Sequence, residues 1–452
     1  MTLGELVPSL RTTLAARLEP GLWPSSARAD CSGELHLGGQ ALSALATVYG
    51  TPCYVLDLDD VRLRCAEYRQ TLPGIEVAYA SKAFLSSAMI RLVRDEGLSL
   101  DVCSAGELAL ALASGYPPDR ILVHGNVKTP EELKAALSAR VGRIVVDSLD
   151  EIEQLAALAR HRQDVLIRVV PEVAAGAHPS VVTGVADQKF GFGLDDGAAL
   201  EAAMRVSSHP NLRLLGLHCH LGSQISSVAP YELAAARLIG LLAELDRRLG
   251  HRVGQLEVTQ LNLGGGHGIR YTRDDTALNL VDFANRVPEA VRSACQRERV
   301  RRPALTVEPG RAIVGPAAVA IYRVAAVKRR PGGRTFVAVD GGMSDNPRPA
   351  LYGSRYTARL LGRPLRARAT PMAVVGRHCE AGDVLATDVP LPEDVHAGDL
   401  IALAASGAYQ CSMASSYNLI GRPPVVGVRD GDHRLLVRRE SEADLFGRDL
   451  EL

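Results

Sequence analysis

The chain is poor in aromatic residues, with 6 Phe, 1 Trp and 12 Tyr among 452 residues, and it carries no net charge. So few rings leave little for stacking on single-stranded bases. With 51 acidic and 51 basic residues there is no basic field to attract nucleic acid or an anionic membrane. No apolar run reaches the roughly 18 residues of a membrane span. The opening stretch MTLGELVPSLRTTLAARLEP spreads its charges and lacks a continuous apolar core, so no secretory leader is expected. The 8 cysteines include no Cys-x-x-Cys pair, which argues against a zinc ribbon or a disulfide framework. A reducing, cytoplasmic setting is the economical expectation.

What the chain does have is length and rhythm. At 452 residues it exceeds one ordinary core, so a large domain with a smaller companion is expected. From residue 75, short apolar runs alternate with amphipathic stretches: IEVAYA, LSLDVC, RILVHG, RIVVDS, DVLIRVV, LRLLGLHCH, LEVTQLNLGGG and ALTVEPG. Such alternation implies a parallel sheet, and eight units fit a closed (β/α)8 barrel over residues 51–313. The other parallel architecture, an open doubly wound sheet, would carry a Gly-x-Gly-x-x-Gly turn after its first strand, and none is there. After residue 313, strand-like runs broken by Gly, Pro and Asp read as a separate β domain over 314–452. Residues 1–50 are assigned to that domain, GELHLGG near residue 35 adding a strand.

In such barrels the chemistry gathers at the C-terminal strand ends. These ends hold Lys82; Cys103 and Ser104; His124 and Asn126; Asp147; Arg168; His218, His220 and Ser223; Gly264, Gly265 and Gly266; and Glu308 and Arg311. A glycine run lets backbone N–H groups approach a phosphate, with a following helix N-terminus adding its dipole. Lys82 alone reads as readily as a surface lysine. Across the ring from a phosphate cradle, however, its amine can form an imine with an aldehyde. Pyridoxal 5'-phosphate carries both groups, and Glu308 could then face its pyridine nitrogen. His218 and His220 could instead ligate zinc, but the pair stands on the sixth strand, where barrel metallohydrolases do not place it. No metal is expected, and His220 is better used stacked on a cofactor ring, with His218 in the core.

The stretches YASKAF, DVCSAGEL, HGNVK, KFGFGL, HCHLGSQI, LNLGGGHGI, VEPGRAIVG, VDGGMSDNPRPALYG, HCEAGD and SGAYQCSMASSYN follow one another in a familiar order. With them the chain resembles the fold type III pyridoxal-phosphate decarboxylases, and among these the diaminopimelate decarboxylases. The resemblance implies decarboxylation of meso-diaminopimelate to L-lysine, the last step of lysine biosynthesis. Lys82 would hold the cofactor covalently, His220 stack on its ring and Glu308 meet its nitrogen. Ser223, Gly265, Gly266, Gly310, Arg311 and Tyr409 would bind the cofactor. Arg311, Arg348, Tyr352, Glu380 and Tyr409 would hold the substrate. Cys379 would return a proton and, with Glu380, enter the site from the partner of a homodimer. The physical case runs alongside: arginines can pair bidentately with a carboxylate and Glu380 with an ammonium.

The chain departs from the usual pattern at Val127, His267, Ala381 and Gln410, of which His267 and Gln410 could retune the pocket. A relative acting on another amino acid therefore remains a rival. So does a non-catalytic carrier of the cofactor, although such carriers consist of the barrel alone. An alanine racemase would lack the Cys-Glu-x-Gly-Asp insertion.

Overall fold

The computed structural model describes residues 18–175, 184, 188–249, 258–364 and 367–452. Most of the opening stretch (residues 1–17) and the start of the seventh apolar run (256–257) lie outside these. The chain packs as two compact units, one of Arg64–Gly268 and Thr276–Ala312, the other of Met1–Leu63, Ile269–Asp275 and Ile313–Leu452.

The first unit is a barrel of eight parallel strands among the described residues. They are β1 Glu76–Ala80, β2 Ser99–Val102, β3 Ile121–Val123 and β4 Arg143–Val146. β5 Gln163–Val170, β6 Leu212–His218, β7 Gln260–Asn262 and β8 Ala304–Val307 follow. Each pairs with the next, and β8 returns to β1, with Thr306 opposite Glu76, so the ring closes. The strands are mostly apolar, with polar residues toward their ends, because a barrel strand is covered on both faces, inside by side chains and outside by helices.

Helices follow β1 to β7, and their starts are set by capping. Ser86, Ser104, Thr129 and Ser148 each accept a hydrogen bond from a first-turn backbone N–H, satisfying an otherwise orphaned donor. Ser104, which its place after β2 puts at the pocket rim, is occupied with this capping.

The N-terminal end of the ring is tied by charge. Glu76 of β1 accepts from Arg143 of β4 at 2.6 Å, Ser99 of β2 at 2.6 Å and Thr306 of β8 at 3.1 Å. Arg143 also reaches Gln260 of β7 at 3.0 Å. Five strands are thus fixed at one end, leaving the other free to carry chemistry.

The second unit is built on a sheet centred on the long strand Ala318–Lys328, which pairs with Phe336–Val339, Leu400–Leu403 and Cys53–Asp57. The boundary placed at residue 51 therefore falls too early. Cys53–Asp57 also pairs with Val425–Arg429 and belongs to this sheet, and Ile269–Asp275 packs in the same unit. No turn residue separates that strand from the helix Leu58–Thr71, so nothing local marks the division. Leu35–Leu37 does not join the large sheet. It forms a small antiparallel sheet with Arg28–Ala29 and Gln40–Ala41, and its leucines pack in one core with Val319, Ile321, Val426 and Val428.

Burial works against the charge of Glu76, but Arg143 prevails and holds its carboxyl below the ordinary range. Replacing Arg143 by Ala leaves that carboxylate unpaired and should lower stability by about 2 kcal/mol near neutral pH. The deficit should narrow as the pH falls below the normal glutamate range, because the variant's carboxylate then protonates. Urea unfolding at pH 7 and pH 4 measures both; an equal deficit at the two values would contradict this assignment.

Candidate active site

The C-terminal ends of the barrel strands converge on one carboxylate. Glu308 follows β8 and is 4% exposed. Asn262, the last residue of β7, donates its amide N–H to Oε1 at 2.7 Å, and His124 Nε2, from the end of β3, lies 2.8 Å from the same oxygen. His218 Nε2, at the end of β6, lies 3.3 Å from Oε2. Burial opposes ionisation of Glu308, yet His124 and His218 outweigh it and hold the carboxyl well below its usual range. Burial pushes His218 down to about 4, so its ring is neutral at neutral pH. Glu308 is therefore a buried, ionised acceptor.

Lys82 sits in the single turn Ser81–Ala83 immediately after β1. Its Nζ lies 3.9 Å from Oδ2 of Asp101, a buried residue of β2 whose Oδ1 is 3.7 Å from His124 Nε2. The lysine side chain is 43% exposed while Asp101 is sealed, so the amine reaches toward the barrel interior without being closed off. Burial raises the Asp101 carboxyl above its ordinary range, with His124 and Lys82 pulling the other way. Lys82, Asp101, His124 and Glu308 thus form one chain of ionisable groups across β1, β2, β3 and β8.

The glycine run after β7 folds into a turn only glycine allows. Gly264 has φ +65° and Gly266 has φ +92°. A Cβ on Gly265 would stand 2.2 Å from the Glu308 carbonyl oxygen, and one on Gly266 2.2 Å from that of Gly222. The Gly265 N–H donates to His220 Nδ1 at 3.2 Å, which leaves the ring proton of a neutral His220 on Nε2. Burial, with Lys82 and Arg168 adding to it, keeps His220 well below its ordinary range. Next to Gly222, the Ser223 hydroxyl accepts from Arg311 at 2.8 Å. Gly310 packs on the strand end before Lys82: a Cβ there would lie 2.9 Å from the Ala80 carbonyl. Lys82, His220, Ser223, Gly265, Gly266, Glu308, Gly310 and Arg311 therefore share one rim.

The helix expected directly behind the glycines is absent. The next one starts at Leu280. Nor do His218 and His220 act as a pair, since one meets Glu308 and the other the Gly265 amide. His124, His218 and Glu308 also bring donor atoms within 4.8 Å of one another. Asp101 and Asn262 are members of the site that the sequence reading passed over. Their only signal is a polar residue interrupting an apolar strand near its C-terminal end.

The remaining candidates lie in the second unit. Arg348 opens the short helix Arg348–Tyr352, is 4% exposed, donates to the Tyr356 hydroxyl at 2.5 Å and stands 4.7 Å over the Tyr271 ring. Tyr352 is half-buried on the same helix. Tyr409 is held at φ +62°, a strained setting for a bulky side chain. Cys379, Glu380 and Ala381 occupy an exposed turn between the strands Ala369–Val375 and Val384–Pro392. Asp383 anchors that turn, accepting from the Met343 N–H at 2.6 Å and the His378 N–H at 2.8 Å.

Two of the departures from the family pattern are core residues of their units rather than pocket residues. Gln410 is fully buried and donates to the Ser406 hydroxyl at 3.2 Å. His267 is buried among Tyr68, Tyr231 and Phe283. Val127 is 75% exposed.

The pyridoxal-binding domain of the pyridoxal-dependent decarboxylases matches residues 58–315. The chain belongs to this family. It is 57% identical over 450 residues to a diaminopimelate decarboxylase of Actinosynnema pretiosum subsp. auranticum, covering 100% of both chains. Identity to the Mycobacterium tuberculosis (strain ATCC 25618 / H37Rv) diaminopimelate decarboxylase is 45%, over 95% of this chain and 98% of that one. Among solved structures, the M. jannaschii diaminopimelate decarboxylase in co-complex with L-lysine superposes with TM-score 0.85 at 31% identity, covering 92% of this chain and 96% of that one. The fold is the type III barrel with its mainly β companion. The chain is a carboxy-lyase dependent on pyridoxal phosphate, and its substrate is a small amino acid. The rim fits that cofactor: the adjoining strands β7, β8 and β1 bring together a glycine turn with no room for Cβ atoms, a buried carboxylate and an amine.

Burial alone holds His267 at about 4, against an unfolded value near 6.5. Its contribution is therefore complete above pH 6.5 and is lost as the pH falls toward 4, where the unfolded chain binds the extra proton. His267→Leu should flatten the fall in melting temperature between pH 6.5 and pH 4. An unchanged slope in thermal melts would rule that out.

Proposed function

We propose that this protein removes carbon dioxide from meso-diaminopimelate to give L-lysine, acting in the cytoplasm as a homodimer with shared sites. One observation carries the reading: a lysine, a glycine turn and an ionised buried carboxylate stand together on a single barrel rim, on adjoining strands. The substrate is taken from the full-length relatives, which are named diaminopimelate decarboxylases. When bound, the cofactor supplies an aldehyde for attachment and an electron-withdrawing ring that weakens the bond to the departing carboxylate.

The residues divide the remaining work. Lys82 is the attachment point, with Asp101 directing its amine. Glu308 holds a proton at the pyridine nitrogen, where its negative charge is worth most because burial keeps water from screening it. His220 would lie against the ring as a neutral imidazole, adding no charge to compete with a protonated pyridine nitrogen. Ser223 and Gly266 take the phosphate end, with Gly265 shaping the turn and Gly310, Arg311 and Tyr409 completing the cofactor's surroundings.

At the distal end of the substrate, Arg311, Arg348 and Tyr352 receive the carboxylate and Glu380 the ammonium. The guanidinium of Arg348, ordered by two tyrosines, loses little freedom on binding. Cys379 returns a proton to Cα from the partner's exposed turn, which is why a second copy is needed.

Release of carbon dioxide from meso-diaminopimelate should require added pyridoxal phosphate and should exceed that from ornithine, lysine or arginine; a preference for one of those three would overturn the substrate. Lys82→Ala should abolish the near-visible absorbance of the bound cofactor, and a retained spectrum would remove the attachment role. Cys379→Ala should keep the cofactor while kcat falls on the order of a hundredfold or more. Full turnover in that variant would exclude Cys379 as the acid.

A further inference from the structure

His267 interrupts a glycine run where an aliphatic residue is usual, and the assignments above leave it no task. Its surroundings supply one. The His267 ring is stacked on Tyr68, with centroids 5.7 Å apart and planes at 11°, and the Tyr68 hydroxyl is hydrogen-bonded to its Nδ1 at 2.8 Å. Tyr231 stands edge-on to the same ring at 5.6 Å, and Phe283 packs at 5.2 Å from each of them. His267 and Tyr231 are 2% and 0% exposed, so each hydrogen bond here is made away from water.

The hydroxyl of Tyr231 does not end in this cluster. It donates to the Gly265 carbonyl oxygen at 2.8 Å. A trans peptide is planar, with its C=O and the next N–H on opposite sides. Fixing the Gly265 carbonyl on Tyr231 therefore turns the Gly266 N–H the other way. Every other hydrogen-bonding group in this part of the turn is occupied. The Gly264 carbonyl accepts from the Glu308 N–H at 2.8 Å, the Gly265 N–H donates to His220, and the Gly266 carbonyl accepts from the Ile225 N–H at 2.9 Å. Among the described residues no acceptor meets the Gly266 N–H. At Gly266 no side chain can be added without striking the Gly222 carbonyl. His267 and Ile225 form a parallel bridge, and the Gly268 N–H returns to the Ile225 carbonyl at 2.9 Å, so the Ser223 segment is clamped to the same turn.

We propose that Tyr231, braced by His267 and Tyr68, is a positioning residue that aims the Gly266 N–H at the phosphate of the cofactor. The inference rests on the decarboxylase reading above. Without the tyrosine hydroxyl, Gly265 and Gly266, which have the widest conformational freedom of any residues, lose the contact that fixes their shared peptide. The amide then samples other directions, and the cost falls on whatever depends on the phosphate. Burial keeps His267 neutral, so the brace adds no charge of its own beside the turn.

The test compares two ligands differing only in the phosphate. Pyridoxal 5'-phosphate and pyridoxal are titrated into the cofactor-depleted full-length protein, and dissociation constants are read from absorbance. Tyr231→Phe should weaken pyridoxal 5'-phosphate on the order of tenfold, the effect of stranding one buried carbonyl, and leave pyridoxal within about twofold. Equal weakening of both ligands, or of neither, would overturn the proposal. Should Tyr231→Phe not fold, Tyr68→Phe is titrated in its place: a smaller loss confined to the phosphorylated ligand supports the brace, and any other pattern overturns it. A wild-type protein that binds neither ligand would remove the decarboxylase reading and this inference with it. A wild-type protein that binds both, with no selective loss in the variant, removes the inference alone.

Discussion

This barrel carries an ionised carboxylate where water cannot reach it. An ionised group in such a place costs several kcal/mol unless it is paired and fully hydrogen-bonded. Glu308 meets that condition through His124, His218 and Asn262, which stand at the ends of three different strands. None is a close neighbour in the chain, so the charge is compensated only once the ring has closed. Closure of the fold and readiness of the site are for that reason one event, and the polar tie around Glu76 and Arg143 secures the opposite end of the same ring.

Much of the barrel was legible in the amino-acid sequence because its strands are covered on both faces, and continuous apolar runs of strand length between amphipathic stretches have few other uses. The β unit was harder. Its central strand, AVAIYRVAAVK, is eleven residues long and rich in alanine, so neither a two-residue nor a 3.6-residue period marks it. Cys53–Asp57 was misassigned for a related reason: its partners are more than 250 residues away, and a strand does not advertise which sheet it will enter.

The site divides along the same line. Lys82, the glycine run and Glu308 could be found because strand ends are where such residues have meaning. Asp101 and Asn262 could not, since their value comes from what tertiary packing places opposite them. His267 was visible as an oddity but not as a core residue, because nothing in GGGHGI shows that helices will bring Tyr68 and Tyr231 against it. The neutral rings of His218 and His220 are likewise products of burial.

The turn holding Cys379 has a different character from the barrel rim. Its footing is Asp383, which grips backbone N–H groups, while at Gly382 an added Cβ would meet nothing within 4 Å. A side chain added at position 382 would therefore disturb no packed neighbour, whereas His378 at the base of the turn is buried and stacked on Tyr417. The turn can therefore take a larger residue at position 382 without loosening the grip of Asp383, so its tip can change in chemistry while its base keeps its shape.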